Sequence, residues 1–247
     1  MKAMIFAAGL GTRLKPITDT IPKALVPVAG KTLLEHIIEK VANEGFDELI
    51  INVHHHANKI IDFLKENNNF GLRIEISDER EMLLDTGGGI RKAAHFFNDG
   101  KPFLIHNVDI LSNANLKALY DKHIEADNIA TLLVKDRETS RYLLFNEDER
   151  LQGWINTNTG ETKSPIPNFC PSNYIQHAFS GIHILSPEIF QYMTPYPPKF
   201  PIMDFYLENA DRIKIGSLLN NDLQMIDVGK LDSLQEAEKL FSTGIYN

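Results

Sequence analysis

The apolar positions change period along the chain, and each change marks an element. "KAMIFAA" (residues 2–8) is an unbroken apolar run closed by glycine, the pattern of a strand buried on both faces. "TLLEHIIEKVANEG" shifts to the helical period, with Leu33, Ile37 and Val41 on one side, Leu34 and Ile38 beside them, and Gly45 as a stop. "DELIINV" reads as a strand, "HANKIIDFLKEN" as a helix, and "LRIEIS" alternates with period two. "GGIRKAAHFF" predicts the start of a further helix and "PFLIHNVDI" a further buried strand. Strands separated by helices pair in parallel through right-handed crossovers, so the first half predicts a doubly wound α/β sheet.

The second half is less regular. "NLKALYDKHIEAD" predicts a helix and "IATLLVK" a strand, while "RYLLFNEDERLQGWINTNTGE" predicts a meander turning at Asp148-Glu149 and Thr159-Gly160. The proline-rich stretches "SPIPNFCPSN" and "TPYPPKFPIMD" predict surface loops. "AFSGIHIL" predicts a strand and "SLQEAEKLFST" a terminal helix. No repeat, low-complexity tract or long linker divides the chain. The expectation is one domain with two lobes, residues 1–110 and 111–247.

Composition narrows the function. Of 247 residues 43% are hydrophobic and 23% charged, ordinary globular usage that excludes a disordered chain. A net charge of −8 excludes a general nucleic-acid binder, which needs a basic surface to release counterions. It leaves room for a nucleotide if a few cations converge on one site. The single cysteine, Cys170, excludes an internal disulfide framework, fits a reducing compartment and reads as structural. The first apolar run is too short for a secretory segment, and no stretch approaches the ~18 apolar residues of a membrane helix. A cytoplasmic protein without membrane or nucleic-acid partners is expected.

The candidate chemistry follows the first strand. In "AAGLGTRL", Gly9 and Gly11 let the backbone turn and bring N–H groups close to a ligand. The dinucleotide fingerprint needs a third glycine where Leu14 stands and a helix directly after it, which Pro16 and Pro22 oppose. The GxxxxGK(S/T) loop is absent. What remains is a phosphate-cradling loop that carries Arg13, with Lys23 returning at its far end. Arg13 suits bidentate contact with phosphate and Lys23 a compact point charge. The run His54-His55-His56 alternates faces at a strand end and reads as structural or surface histidine. Trp154 and Tyr174 lack the basic interleaving of a nucleic-acid stack and read as lobe packing or oligomer contacts.

"AAGLGTRLKPIT…PKALVPVAGKTLLEHII" resembles the signature of the sugar-nucleotide pyrophosphorylases, the nucleotidyltransferases that make NDP-sugars. The resemblance continues through "INVHHHANKI", "LLDTGGGI", Asp109, "FSGIHIL" and "IDVGKLDSL", and covers nearly the whole chain. It implies a glycosyltransferase-A-like fold: a Rossmann-like, mostly parallel sheet with a smaller mixed sugar-binding lobe. The compact length and "DTGGGI" are most similar to the N-acetylmuramate α-1-phosphate uridylyltransferases of cell-wall recycling. Mannose-1-phosphate guanylyltransferases and glucose-1-phosphate nucleotidyltransferases are the neighbouring alternatives.

The resemblance also implies roles. Ala8, Gly9, Gly11, Thr12 and Arg13 would wrap the triphosphate of an NTP, with Lys23 near the α-phosphate. Asp109 and Asp227 would hold Mg²⁺. Thr86 and Gly87 would bond a uracil edge, whereas Glu81 could favour guanine by accepting its protons. Asn107, Ser180 and Gly181 would meet the sugar 1-phosphate, with Phe179 as packing. Arg141, or Lys199, would pair with the lactyl carboxylate of muramate. Val108 stands where the family usually has glycine, so this loop either approaches the nucleotide differently or keeps an ordinary β conformation. A monomer or small homo-oligomer is expected. The rival from another class is a catalytically silent nucleotide or sugar sensor. The retention of Arg13, Lys23 and both carboxylates argues against it.

Overall fold

Ala3, Met4 and Ile5 are fully excluded from water, as an unbroken apolar run requires of a central strand. In the computed structural model, which describes residues 1–242, this run is the strand Lys2–Phe6. It pairs in parallel with Glu48–Val53, which pairs in parallel with Arg73–Asp78. The helices Leu33–Asn43 and Ala57–Glu66 are the crossovers. The first helix buries Leu33, Leu34, Ile37, Ile38 and Val41, and Thr32 caps it by accepting the Glu35 N–H at 3.1 Å. On its other edge Lys2–Phe6 neighbours the strand Phe103–Asn107.

The chain forms two compact units that interleave in sequence instead of dividing at residue 110. The first comprises Met1–Leu83, Ile105–Lys117 and the described chain from Leu223. The second comprises Leu84–Leu104 and Ala118–Asp222. The return of the chain to the first unit has a simple cause. The strand Met225–Asp227 pairs antiparallel with Ile110–Ser112, so residues over a hundred positions apart share one ribbon.

The second unit is a mixed sheet. Thr162–Lys163, Leu151–Asn156, Arg141–Phe145 and Ile175–Leu185 follow one another antiparallel, as the meander pattern predicts. The long strand Ile175–Leu185 then pairs antiparallel with Ala130–Lys135, which takes Ile215–Leu219 in parallel on its other side. The register shifts between Phe179 and His183, where Gly181 is left-handed at φ 79°. The expected α/β architecture is therefore present, with parallel pairing of Lys2–Phe6, Glu48–Val53 and Arg73–Asp78 in the first unit and mixed pairing in the second.

Two sequence expectations are corrected. "PFLIHNVDI" is two strands, because the chain turns at Val108 and Asp109, and Asp109 therefore sits in a turn and not at a strand end. "TPYPPKFPIMD" is only partly loop, since Pro201 precedes the helix Ile202–Asn209, which buries Ile202, Phe205, Tyr206 and Leu207. Proline at a helix start loses no intrahelical hydrogen bond, so it opens this helix.

The second unit also buries a neutral histidine. His123 is 1% exposed, with Nδ1 2.9 Å from Thr131 Oγ1 and Nε2 2.8 Å from Ser186 Oγ. Ser186 donates to the Asn128 carbonyl, so the His123 Nε2–H donates to Ser186, leaving Nδ1 to accept from Thr131. Burial pushes the His123 pKa down from 6.5 to about 4. The unfolded chain binds this proton more readily, so stability is full above pH ~6.5 and falls as pH drops toward about 4. The loss should run at about 1.4 kcal/mol per pH unit and reach about 3 kcal/mol in all. Burial displaces His106 equally, so chemical denaturation between pH 7 and 4 should show a slope about 1.4 kcal/mol per pH unit steeper in the native chain than in His123→Gln; equal slopes would contradict it.

Candidate active site

The loop after Lys2–Phe6 is built by three local devices. The N–H groups of Ala7 and Ala8 leave the ladder and donate to Asn52 Oδ1 at 2.8 and 3.3 Å. Gly11 is left-handed at φ 64°, and a Cβ there would lie 2.8 Å from Thr18 Cγ2 and 3.2 Å from Lys23 Cβ. Its carbonyl accepts from Leu14 N–H at 2.9 Å and Thr18 Oγ1 at 2.7 Å, closing the single turn Thr12–Leu14. Leu14 points into the core at 0% exposure, so Thr12 and Arg13 are left facing solvent. Around Gly9 a Cβ would meet nothing within 4 Å, so the backbone there is open to a ligand. The glycine spacing predicts such a tight, open turn, and the structure has it.

Lys23 closes the far end. It opens the turn Lys23–Leu25 and is 9% exposed, with its ammonium ion-paired to Asp109 Oδ2. A buried ammonium needs such a partner. Val108, next to Asp109, is 4% exposed, lies outside the left-handed region and donates its N–H to the Phe6 carbonyl at 3.2 Å. Val108 lies in a turn and needs no positive φ, so valine is tolerated there, and its side chain is buried.

The second carboxylate arrives on the neighbouring backbone. Asp227 is paired opposite Ile110, and Val228 donates its N–H to the Asp109 carbonyl at 2.8 Å. Gly229 is the close-approach point: a Cβ there would lie 2.7 Å from Asp227 Oδ1 and 2.8 Å from Arg13 Nη2. Arg13 and Asp227 thus converge on one spot, and Lys23 and Asp109 pair beside the same ribbon. Among the described residues no group of three or more acidic, histidine or cysteine side chains gathers as a ready-made metal cage. Two carboxylates and no soft ligand fit a hard divalent ion that keeps most of its waters.

Other expected site residues are used differently. Gly87 was expected at a base edge, yet its N–H donates to the Phe200 carbonyl at 2.9 Å, and a Cβ would collide with the Phe200 ring. Thr86 donates its N–H to Asp85 Oδ1 and accepts from Ile202 N–H, both at 2.8 Å. These residues fasten the helix Asp85–Lys92 to the segment before Ile202–Asn209. Ser180 was expected at the sugar, but it is 1% exposed and its hydroxyl donates to the Leu133 carbonyl at 2.7 Å. Asn107 is half-buried, and its carbonyl accepts from His106 Nδ1 at 2.8 Å. Glu81, Arg141 and Lys199 are exposed. Cys170, read as structural, is exposed with Sγ 3.2 Å from Ser172 Oγ. The triple histidine fans out: His54 Nδ1 meets the Glu79 carbonyl at 2.7 Å, while the His55 and His56 rings lie 3.9 Å apart at 49°.

The residues that sequence reasoning missed are Asn52, Glu79 and Gly229. Gly229 could have been found, since a glycine two residues after a candidate metal carboxylate signals close approach. Asn52 lies in the stretch "INVHHHANKI" that carries the family resemblance, yet nothing local gives it a task, and Glu79 carries no local signal.

Comparison with known proteins finds relatives over nearly the whole chain. The family model described as nucleotidyl transferase matches residues 2–243. An N-acetylmuramate alpha-1-phosphate uridylyltransferase of Neisseria meningitidis is 33% identical over 97% of this chain and 98% of its own length. A UTP–glucose-1-phosphate uridylyltransferase of Synechocystis is 28% identical over 96% of this chain, which spans 62% of that relative. The crystal structure of a UDP-glucose pyrophosphorylase complexed with UDP-glucose superposes with a TM-score of 0.77, covering 98% of both chains at 19% identity.

Gly229→Ala tests the convergence. Only the ends of two polar side chains must move, so Tm should stay within a few degrees of the native value. Nucleotide-dependent turnover should fall about tenfold or more as Arg13 and Asp227 are pushed apart. Unchanged turnover would show that the two groups do not act at one point.

Proposed function

The chain belongs to the nucleotidyl transferase family, and from that premise we propose that it transfers a nucleoside monophosphate from an NTP to a sugar 1-phosphate, releasing pyrophosphate. The observation that carries this reading is the meeting of Lys23 with Asp109 and of Arg13 with Asp227 beside an open glycine loop. The oxygen of the sugar phosphate attacks the α-phosphorus, a P–O bond forms, and the bond to the β-phosphate breaks.

Like charge is the obstacle, because one anion approaches another. The chain's contribution is therefore positioning and electrostatic stabilisation. The cradle Ala8–Arg13 holds the triphosphate, Arg13 neutralises the departing pyrophosphate, and Lys23 exchanges Asp109 for a phosphate oxygen. Asp109 and Asp227 would hold Mg²⁺, which when bound screens phosphate charge. Asn107, Gly181 and Arg141 are assigned to the sugar phosphate. The nucleophile is already ionised at neutral pH, so no general base is required.

UTP and N-acetylmuramate α-1-phosphate are the favoured pair, which would place the chain in cell-wall recycling in the cytoplasm. The 33% identity to the N. meningitidis relative over nearly its whole length supports this choice. Among the described residues no helix is long and apolar enough to cross a membrane.

Pyrophosphate release should be read for four NTPs against the 1-phosphates of N-acetylmuramate, N-acetylglucosamine, glucose and mannose. The favoured pair should give the highest kcat/KM, and EDTA should stop turnover. A guanosine preference would overturn the base assignment in favour of Glu81, and binding without turnover would favour a sensor. Arg141→Ala should lower the preference for muramate over N-acetylglucosamine 1-phosphate about tenfold, the loss of one charge-assisted contact. An unchanged preference removes Arg141 from that role.

A further inference from the structure

The first peptides of the cradle hang on one buried amide. Asn52 is 2% exposed and lies in register with Phe6, the last residue of the central strand. Just beyond that point the backbone N–H groups of Ala7 and Ala8, residues 2% and 4% exposed, have no water to turn to. Asn52 Oδ1 takes both, at 2.8 and 3.3 Å. The other end of the amide, Nδ2, donates to Glu79 Oε1 at 2.9 Å.

Glu79 is 1% exposed and is itself held through its backbone. Its N–H donates to Val53 O at 2.8 Å, and its carbonyl accepts from Met82 N–H at 3.1 Å and from His54 Nδ1 at 2.7 Å. An asparagine amide has one accepting and one donating end, so the acceptor at Glu79 decides which way it points. Inverted, it would set NH₂ against two N–H groups and a carbonyl oxygen against a carboxyl oxygen.

We propose that Asn52 and Glu79 are positioning residues for nucleotidyl transfer: Glu79 fixes the Asn52 amide in one orientation, and the amide aims the backbone from Ala7 into Gly9 at the triphosphate. This rests on the reading of Ala8–Arg13 as the triphosphate cradle. Neither side chain needs to touch the nucleotide. Their effect is felt at the cradle, so it separates the nucleotide's KM from that of the sugar phosphate.

The test is a charge-conserving exchange. Asn52→Asp sets two carboxyl groups against each other across the present 2.9 Å contact. With the best substrate pair, KM for the nucleotide should rise about tenfold while KM for the sugar 1-phosphate stays within about twofold. Amide hydrogen exchange at Ala7 and Ala8 should quicken. In the Asn52→Asp/Glu79→Gln double variant the new amide donates to the new carboxylate, whose other oxygen accepts from Ala7 and Ala8. The nucleotide KM should return to within about threefold of native, and exchange should slow again. An unchanged nucleotide KM and exchange rate in the single variant, or no recovery in the double, overturns the proposal. So does an equal rise in both KM values. If Asn52→Asp does not fold, Asn52→Ser, whose hydroxyl is too short to span both partners, gives the same reading. If the native chain turns over no pair at all, the functional reading has failed, while the exchange rates still decide whether the pair positions the loop.

Discussion

An ammonium removed from water must be paired, and in this chain the partner of Lys23 lies 86 residues away on Asp109. The rest of the first unit is arranged around that requirement. The contact holds the far end of the glycine loop against the turn that follows the strand Phe103–Asn107. The loop's near end is tied to the same lysine, because Gly11 leaves just enough room for Lys23 Cβ beneath it. Asp227 completes the set only because the chain returns from the second unit to pair with Ile110–Ser112. On the proposed reading, a bound triphosphate offers the lysine a second anion and frees the carboxylate for a cation.

The same economy governs glycine use. Gly11 and Gly229 are small so that side chains can converge, and both lie where phosphate chemistry is assigned. Gly87 and Gly88 are small for another reason, since their N–H groups and the space above them are taken by the Phe200 carbonyl, the Phe200 ring and the Pro198 carbonyl. One residue type at two motifs therefore serves two ends. Family membership alone would not have separated them, because related scaffolds keep a motif while changing what it touches.

Periodicity made most of the frame legible. The run from Lys2 to Phe6, the amphipathic stripe of Leu33–Asn43 and the meander through Trp154 all announced themselves in short windows. The turn after the first strand was legible too, since Gly9, Gly11, Pro16 and Pro22 leave few conformations open. What stayed hidden depends on contacts between distant residues. Nothing near Ser180 shows that its hydroxyl is consumed by Leu133, nor near Thr86 that Ile202 claims it. Asn52 reads locally as one more strand residue, and its hydrogen-bond partners appear only when Ala7, Ala8 and Glu79 are brought around it. The helix Ile202–Asn209 was masked by the prolines before it, though Pro201 caps it from outside and costs it no intrahelical hydrogen bond.

The central claim is that Lys23 and Asp109 form a resting pair that a triphosphate and a divalent ion pull apart. A crystal structure with Mn²⁺ and a non-hydrolysable UTP analogue, with the metal located by its anomalous scattering, tests it most directly. The account predicts one manganese peak within ligand distance of both Asp109 and Asp227, with the Lys23 ammonium moved onto a phosphate oxygen. Manganese bound away from these two carboxylates, or Lys23 still paired to Asp109 beside a bound triphosphate, would contradict it.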